Sequence, residues 1–363
     1  MGETDEKWNI GWGTVAACNM KCQFCYSKER RKQGQQLELS DWKKFIDQNH
    51  EKISTINYGT GENSINDDWF KLVYYIREKY PNIRQALTTN GFFSEKIKNT
   101  ELYEMATKSI DEFDVSLDFC VAEKHAELRG QKEAFNWALN TLKYCKENNK
   151  DATIVFLGSK VNLNEENIKG LFEIAKDYNA KLRMNLYRPT EGIDEISKKF
   201  IPTYENLIEI LKFIAQKYEV LTLNDALFSS LLTRRTSIDP SGIDSLRILA
   251  NGDITPSTYL IHEEYIVGNI QEENILNNIE DKILNIITKV IPEECNKCVL
   301  REKCKGGVID RRYLWYHTLD KRDPYCKGPY KNVDDLPEKM LLSKKEFHSV
   351  HDGYLPTMFF INK

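Results

Sequence analysis

The 363-residue sequence has no run of about 18 apolar residues, no basic segment ahead of a short apolar one at its start, no internal repeat and no low-complexity stretch. These absences exclude a helical membrane span, a cleaved secretory leader and a solenoid. They leave a protein expected in the cytoplasm, with no membrane partner. Nor is either charge in surplus. Lys and Arg total 51 against 55 Asp and Glu, a net charge of −4, so no basic field draws the chain to nucleic acid. Hydrophobic residues at 41% and charged residues at 29% are ordinary for a folded protein, long enough for two domains or for one barrel with an appendage.

Cysteine is present but unevenly spread. The nine cysteines fall into Cys18, Cys22 and Cys25, then Cys295, Cys298, Cys304 and Cys326, with Cys120 and Cys145 apart. A secreted disulfide scaffold is shorter, denser in cysteine and usually even in count. Two clusters in a long chain fit metal or iron–sulfur ligation in a reducing compartment. Cys145, within an amphipathic helical pattern, reads as core.

Between the clusters, β-rich runs at 10–17, 53–58, 83–89, 113–119, 153–158 and 182–187 alternate with helical patterns such as 67–80, 134–147 and 204–218. Six β/α units in series predict a parallel sheet, because each parallel pair needs a crossover. Chemistry is then expected at the C-terminal strand ends. Past about residue 232 the pattern changes, and Leu246–Ala250, Asn251-Gly252-Asp253 and Ile254 read as a hairpin. The expected organisation is a barrel over 1–232, a small domain over 233–330 and a polar tail over 331–363, in which 358–361 is an aromatic and apolar stretch.

Cys18-Asn19-Met20-Lys21-Cys22-Gln23-Phe24-Cys25 places three thiols in the loop after the first predicted strand. Three ligands without a fourth nearby hold three corners of a cubane and leave one iron open; a structural zinc loop with a distant fourth ligand is the bland alternative. The CxxxCxΦC spacing, with Phe24 at Φ, resembles the radical S-adenosylmethionine (SAM) superfamily. Further along, Gly59-Thr60-Gly61-Glu62-Asn63 resembles the family's GGEP motif, with Thr60 and Asn63 in place of Gly and Pro. Thr88-Thr89-Asn90-Gly91 resembles its TTNG, and Ser116-Leu117-Asp118, His125 and Arg129-Gly130 resemble its SLDG and HxxxRG. The resemblance implies an α/β fold, a partial (β/α)6 TIM-like barrel, with a [4Fe-4S] cluster on Cys18, Cys22 and Cys25. It also implies SAM contacts from Phe24, Gly61, Glu62, Asn90, Ser116 and Arg129. In this reading Glu62 holds the SAM amine, Ser116 offers a hydroxyl and Arg129 pairs with the carboxylate. Cys120, at the end of strand four where relatives carry Gly, is a speculative hydrogen donor or simply a small buried hydrophobe.

The second set reads as a closed site of four thiolates, either a [4Fe-4S] cluster or zinc. It resembles the SPASM/twitch domain that follows many radical SAM barrels, a small α+β unit. Three cysteines of the family pattern are missing. Ser257 and Val308 stand at two of those positions, and no cysteine between Cys145 and Cys295 fills the third. In the family those three serve the inner of two auxiliary clusters. One auxiliary [4Fe-4S] cluster on Cys295, Cys298, Cys304 and Cys326 is therefore expected, two clusters in all.

The resemblance implies reductive SAM cleavage to a 5′-deoxyadenosyl radical and hydrogen abstraction from a peptide, as in maturases of ribosomally made peptides. The implied partners are the peptide, a separate leader-binding protein and an electron donor of flavodoxin or ferredoxin type. The alternatives are a dehydrogenase or epimerase of a small alcohol or sugar, and a non-catalytic metal-binding scaffold. Arg183, Arg188, Arg234 and Arg235 are candidates to meet an anionic substrate group. Asp118, Asp239, Asp244, Asp253 and Tyr259 lie near the expected mouth, none of them assignable as a base.

Overall fold

The computed structural model describes residues 7–28, 36–237, 239–277, 279–284, 291–352 and 354–363. In chain order the barrel half contains β1 (Trp8–Trp12), α1 (Leu39–Asn49), β2 (Ile53–Tyr58), α2 (Asp67–Lys79), β3 (Arg84–Thr89), α3 (Phe93–Lys96), α4 (Thr100–Ser109), β4 (Glu112–Ser116), α5 (Ala122–Arg129), α6 (Ala134–Glu147), β5 (Asp151–Gly158), α7 (Glu165–Asp177) and β6 (Lys181–Leu186). Then follow α8 (Tyr204–Lys217), β7 (Glu219–Leu223), α9 (Ala226–Thr233), β8 (Ser245–Ile248), β9 (Asp253–Thr255), β10 (Gly268–Asn269), α10 (Ile279–Leu284), α11 (Arg301–Cys304), α12 (Ile309–Tyr316) and β11 (Met358–Ile361).

β1 to β6 pair in sequence order and in parallel, with helices in the crossovers. Polar caps start these helices: the side chains of Asn66, Asn99, Asn164 and Thr203 accept from the first free amides of α2, α4, α7 and α8. Each helix turns an apolar stripe onto the sheet, and Trp12, Trp42, Trp69, Phe45 and Phe70 are all buried there. The sheet's opposite face forms the lumen, which on β4 presents Glu112, Asp114 and Ser116 while Phe113 and Val115 face the helices.

One sheet of 11 strands runs through the whole molecule, in the order β10-β9-β8-β1-β2-β3-β4-β5-β6-β11-β7. The expected hairpin forms as β8 and β9, and β8 adds in parallel to β1, so the small domain grows from the barrel's first edge. The segment read as a polar tail ends as β11, antiparallel between β6 and β7. Met358 and Phe360 join the helix-side core while Phe359 faces inward, where the Arg183 guanidinium lies 5.7 Å from its ring. A strand buried on both faces has no polar alternation to announce it.

Two more differences have local causes. The first strand stops at Trp12 because residues 13–17 leave the ladder for the β2 loop: Thr14 donates to Asn63 Oδ1 through both N and Oγ1, and Glu62 N donates to Ala17 O at 2.9 Å. α9 is buried on every side, so it lacks the helical period of a surface helix. Phe360 is fully buried. Phe360→Ala should cost about 3–5 kcal/mol in denaturant unfolding of the metal-loaded protein, the usual loss for a buried Phe. A free tail would give a change near zero.

A candidate active site at the barrel mouth

The C-terminal ends of β1 to β6 and their loops surround a cavity of about 1110 Å³, mouth included. Cys18, Cys22 and Cys25 all line it. Their loop is fixed from two sides. Lys21 N and Cys22 Sγ both approach the Arg129 carbonyl at the end of α5, at 3.3 and 3.6 Å, and Met20 and Cys22 pack on Ala134 with Phe24 and Trp137 over them. Asn90 Nδ2 donates to Asn19 Oδ1 at 2.8 Å and lies 3.5 Å from Cys18 Sγ. Burial holds the Cys22 thiol up at about 11, despite the Arg129 charge, so a metal bound there has to displace the proton. Three cysteines converging on one cavity, with an amide directed at a sulfur, fit a cluster that keeps one iron open.

The SAM-contact candidates divide. Phe24, Gly61, Asn90, Ser116 and Arg129 line the cavity. Gly61 sits at φ +64°, where an added Cβ would come 2.4 Å from the Ala17 carbonyl, so only glycine lets the β2 loop pack on the cysteine loop. Thr60 beside it holds φ +93°, a conformation costly for a β-branched residue, and its hydroxyl meets Tyr26 OH at 2.8 Å. Glu62 departs from expectation: it does not line the cavity and is 1% exposed. Its carboxylate accepts from Ser64 Oγ at 2.7 Å and Asn90 N at 2.7 Å, and Thr89 Oγ1 lies 3.0 Å from both oxygens. Burial raises its pKa against these hydrogen bonds. Glu62 therefore clamps the ends of β2 and β3 together, and a ligand amine would have to displace one of those donors.

Arg129 is positioned by Asp118. Its Nε donates to Asp118 Oδ2 at 2.6 Å, its guanidinium lies 5.0 Å from the Phe24 ring, and Asp118 Oδ1 accepts from Leu157 N at 2.8 Å. Cys120 does not reach the cavity. Its amide donates to Asn167 Oδ1, and its sulfur fills the space that a side chain at Gly170 of α7 would occupy, so the hydrogen-donor role is withdrawn on geometry. Cys145 is buried in α6, as expected. Of the five candidate bases only Tyr259 lines the cavity. Asp118 serves Arg129, Asp239 accepts from Ser241 N and Ile309 N, Asp244 gives its carbonyl to Asn9 N, and Asp253 pairs with Asn251 and Asn269. Arg183 and Arg188 line the cavity, whereas Arg234 donates to the Leu231 and Pro337 carbonyls away from it. Arg235 is exposed and away from it too. The sequence reading missed Arg247, His351 and Tyr354, all of which line it. A single Arg inside the apolar run of β8 was the available signal for the first.

In the small domain, burial holds Cys295 and Cys304 up at about 11 and Cys326 up at about 12; neighbouring thiols, Cys298 among them, add to the first two, and the Asp323 charge adds to the third. Among the described residues neither cysteine set brings three sulfurs within 4.8 Å of one another. Four zinc–sulfur bonds would draw them to roughly 3.8 Å. Around them Arg311, fully buried, pairs with Asp225 of the α9 cap at 2.6 Å and with Asp323 at 2.5 Å, and Asp323 O accepts from Cys326 N. Where the family pattern loses its cysteines, Ser257 Oγ donates to Asp310 Oδ2 at 3.3 Å, Val308 is buried two residues before Asp310, and Arg188 Nε donates to Asp310 Oδ1 at 2.5 Å.

His125 supplies a pH test. Its Nδ1 accepts from Asp118 N at 3.1 Å, which places the proton on Nε2, and burial lowers its pKa from 6.5 to about 4. The unfolded chain takes up that proton first, so stability present above pH 6.5 should be lost as pH falls toward 4. In urea titrations across this window, His125→Gln should flatten the loss; an unchanged slope would show that His125 takes up its proton at the same pH in both states.

The profile of the radical SAM superfamily matches residues 14–175. Over its length the chain is similar to mycofactocin maturase MftC of Mycobacterium tuberculosis, 22% identical over 355 residues that cover 94% of this chain and 88% of that protein. It is also similar to Fe-coproporphyrin III synthase of Methanosarcina barkeri, 28% identical with 89% of this chain and 88% of that protein covered. In fold it matches Streptococcus suis SuiB bound to precursor peptide SuiA, with a TM-score of 0.67 at 19% identity, covering 89% of this chain and 76% of that one. No helix among the described residues is long and apolar enough to cross a membrane. Three cysteines at the mouth of a parallel barrel lie within the segment that matches the profile of the radical SAM superfamily.

Proposed function

We propose that the substrate is a peptide and that the enzyme modifies it at a C–H bond, as a maturase of ribosomally made peptides. The observation that carries this reading is the likeness to MftC, which spans 94% of the chain and so takes in the small domain as well as the barrel. The fold of SuiB, in a structure titled with its precursor peptide, is consistent with it. Cys18, Cys22 and Cys25 would hold the SAM cluster. When bound, that cluster delivers the electron that cleaves SAM and starts radical chemistry.

The chain's own residues do the rest. Asp118 holds the Arg129 guanidinium at the cavity wall, where it can meet the SAM carboxylate, and Ser116 and Asn90 offer a hydroxyl and an amide on the same side. Phe24 packs against Arg129 and, at 6.0 Å, edge-on to Phe200, which limits water at the cysteine loop. Cys295, Cys298, Cys304 and Cys326 hold a second [4Fe-4S] cluster in this reading. The Arg188–Asp310–Ser257 network lies at the positions where the family pattern loses its inner-cluster cysteines. An external flavodoxin- or ferredoxin-type donor would supply electrons, and a separate protein would present the peptide's leader. A non-peptide substrate is the second reading, favoured by the 28% identity to a relative named as a porphyrin synthase.

Anaerobic reconstitution with iron and sulfide should give about eight irons per chain, and dithionite with SAM should give 5′-deoxyadenosine. Cys22→Ala should abolish cleavage, while Cys298→Ala should remove about four irons and keep some cleavage. Zinc in place of the second four irons, or full iron content in Cys298→Ala, would overturn the auxiliary-cluster assignment. Mass spectrometry of candidate precursor peptides after turnover then tests the substrate class.

A further inference from the structure

Four guanidinium groups line the cavity, those of Arg129, Arg183, Arg188 and Arg247, together with His351, whereas no aspartate or glutamate among the described residues does. The carboxylates that compensate them stand behind the wall. Arg129 has Asp118 at 2.6 Å, Arg188 has Asp310 at 2.5 Å and Arg183 has Asp114 at 3.6 Å. Among the described residues Arg247 has no carboxylate partner. It is 1% exposed, donates from Nη2 to the Gly59 carbonyl and lies 3.4 Å from Tyr354 OH through Nη1.

The unpaired charge has no other source of compensation in the wall. Burial pushes the Tyr259 hydroxyl up to about 12, so it supplies no negative charge near neutrality. Of the carboxylates behind the floor, Asp114 lies between Arg183 and His351 Nδ1, the latter at 2.8 Å, with neither oxygen hydrogen-bonded, and Ser349 Oγ and Val350 N both donate to Glu112. Moreover, the guanidiniums on the floor keep buried nitrogens without hydrogen-bond partners, namely Nε and Nη1 of Arg183, Nη2 of Arg188 and Nε of Arg247. Burying an unpaired cation beside unmet N–H donors is expensive, and one anionic ligand satisfies both deficits at once.

We propose that this floor is a subsite for a carboxylate group of the substrate, with Arg247 and Tyr354 binding it and Arg183 and Arg188 shaping its field. The proposal rests on the enzyme assignment and refines the peptide reading: the reacting end of the substrate carries a free carboxylate, either a chain terminus or an acidic side chain. A phosphate ester is disfavoured, since three of the four guanidiniums already have carboxylate partners and only one positive charge is left over.

Calorimetric titration of the anaerobically reconstituted holoenzyme in saturating SAM tests it. The probes are N-acetylphenylalanine, N-acetylphenylalanine amide and N-acetylglutamate α-amide. At least one acid should bind about tenfold more tightly than the neutral amide, the factor expected for one charge-assisted contact. Arg247→Gln should erase that preference and leave SAM affinity within about twofold, and Arg247→Lys should retain part of it. The α-carboxylate and side-chain arms distinguish the two sources. With succinate as a further probe, wild-type protein that binds neither an N-acetyl acid nor succinate more tightly than the neutral amide overturns the subsite, and this arm needs no variant to fold. SAM affinity falling about tenfold in Arg247→Gln, with the acid preference intact, assigns the guanidinium to SAM and overturns it as well. Succinate bound tightly while every N-acetyl amino acid is ignored would retire the peptide substrate and keep the carboxylate subsite.

Discussion

A guanidinium removed from water needs a carboxylate within reach, and that constraint ties this molecule together. Arg311 is fully buried between Asp225, which also caps α9, and Asp323, which supports the Cys326 loop, so one side chain fixes the small domain's cysteine site to the barrel's last helix. Arg188, just past β6, reaches Asp310 on α12 and makes a second such joint. Arg129 reaches back from α5 to Asp118 at the end of β4 while its carbonyl receives the cysteine loop. Breaking one partner of such a pair leaves a buried charge, which commonly costs 3–5 kcal/mol. The three joints therefore position sites as well as holding elements, since both cysteine sets stand one residue or one hydrogen bond away from them.

The same network runs through the positions where the resembled family pattern has cysteines: Ser257 donates to Asp310, which pairs with Arg188, and Val308 is buried beside them. Cluster ligation stabilises such a domain outright. Here Arg188–Asp310 and Arg311 with its two aspartates supply cross-links in its place, and β8 adds a backbone ladder to β1.

How much of this was legible in the sequence follows from what each residue depends on. Period and spacing are local, so β2, α2 and α6 appear in the sequence nearly where they stand in the fold, and the CxxxCxxC loop announces itself. Glu62 was found as a residue but not in its role: two of its donors come from the end of β3 and the residue after it, 27 and 28 residues on, and no local pattern shows that its carboxylate is already spent on Thr89 and Asn90. Cys120 was misplaced for a related reason, because the direction of one side chain at a strand end depends on Gly170 of a later helix. Arg247 and Tyr354 were invisible as site residues because their meeting joins positions 107 apart in sequence.

The C-terminal segment carries the furthest consequence. Ser349 and Val350 bind Glu112 at the start of β4, His351 lies against Asp114 one inward position further up, and Tyr354 reaches Arg247 and Thr258 near the mouth. This segment thus climbs the lumen before β11 closes the sheet between β6 and β7. Gly11 of β1 is what admits it, for a Cβ there would lie 1.5 Å from Tyr354 OH. A parallel barrel open at its N-terminal end would flood the polar lumen with water and screen the arginines there. Ser349–His351 and Tyr354 occupy part of that space instead, and charges shielded from water in this way act at the strength a low-dielectric site allows.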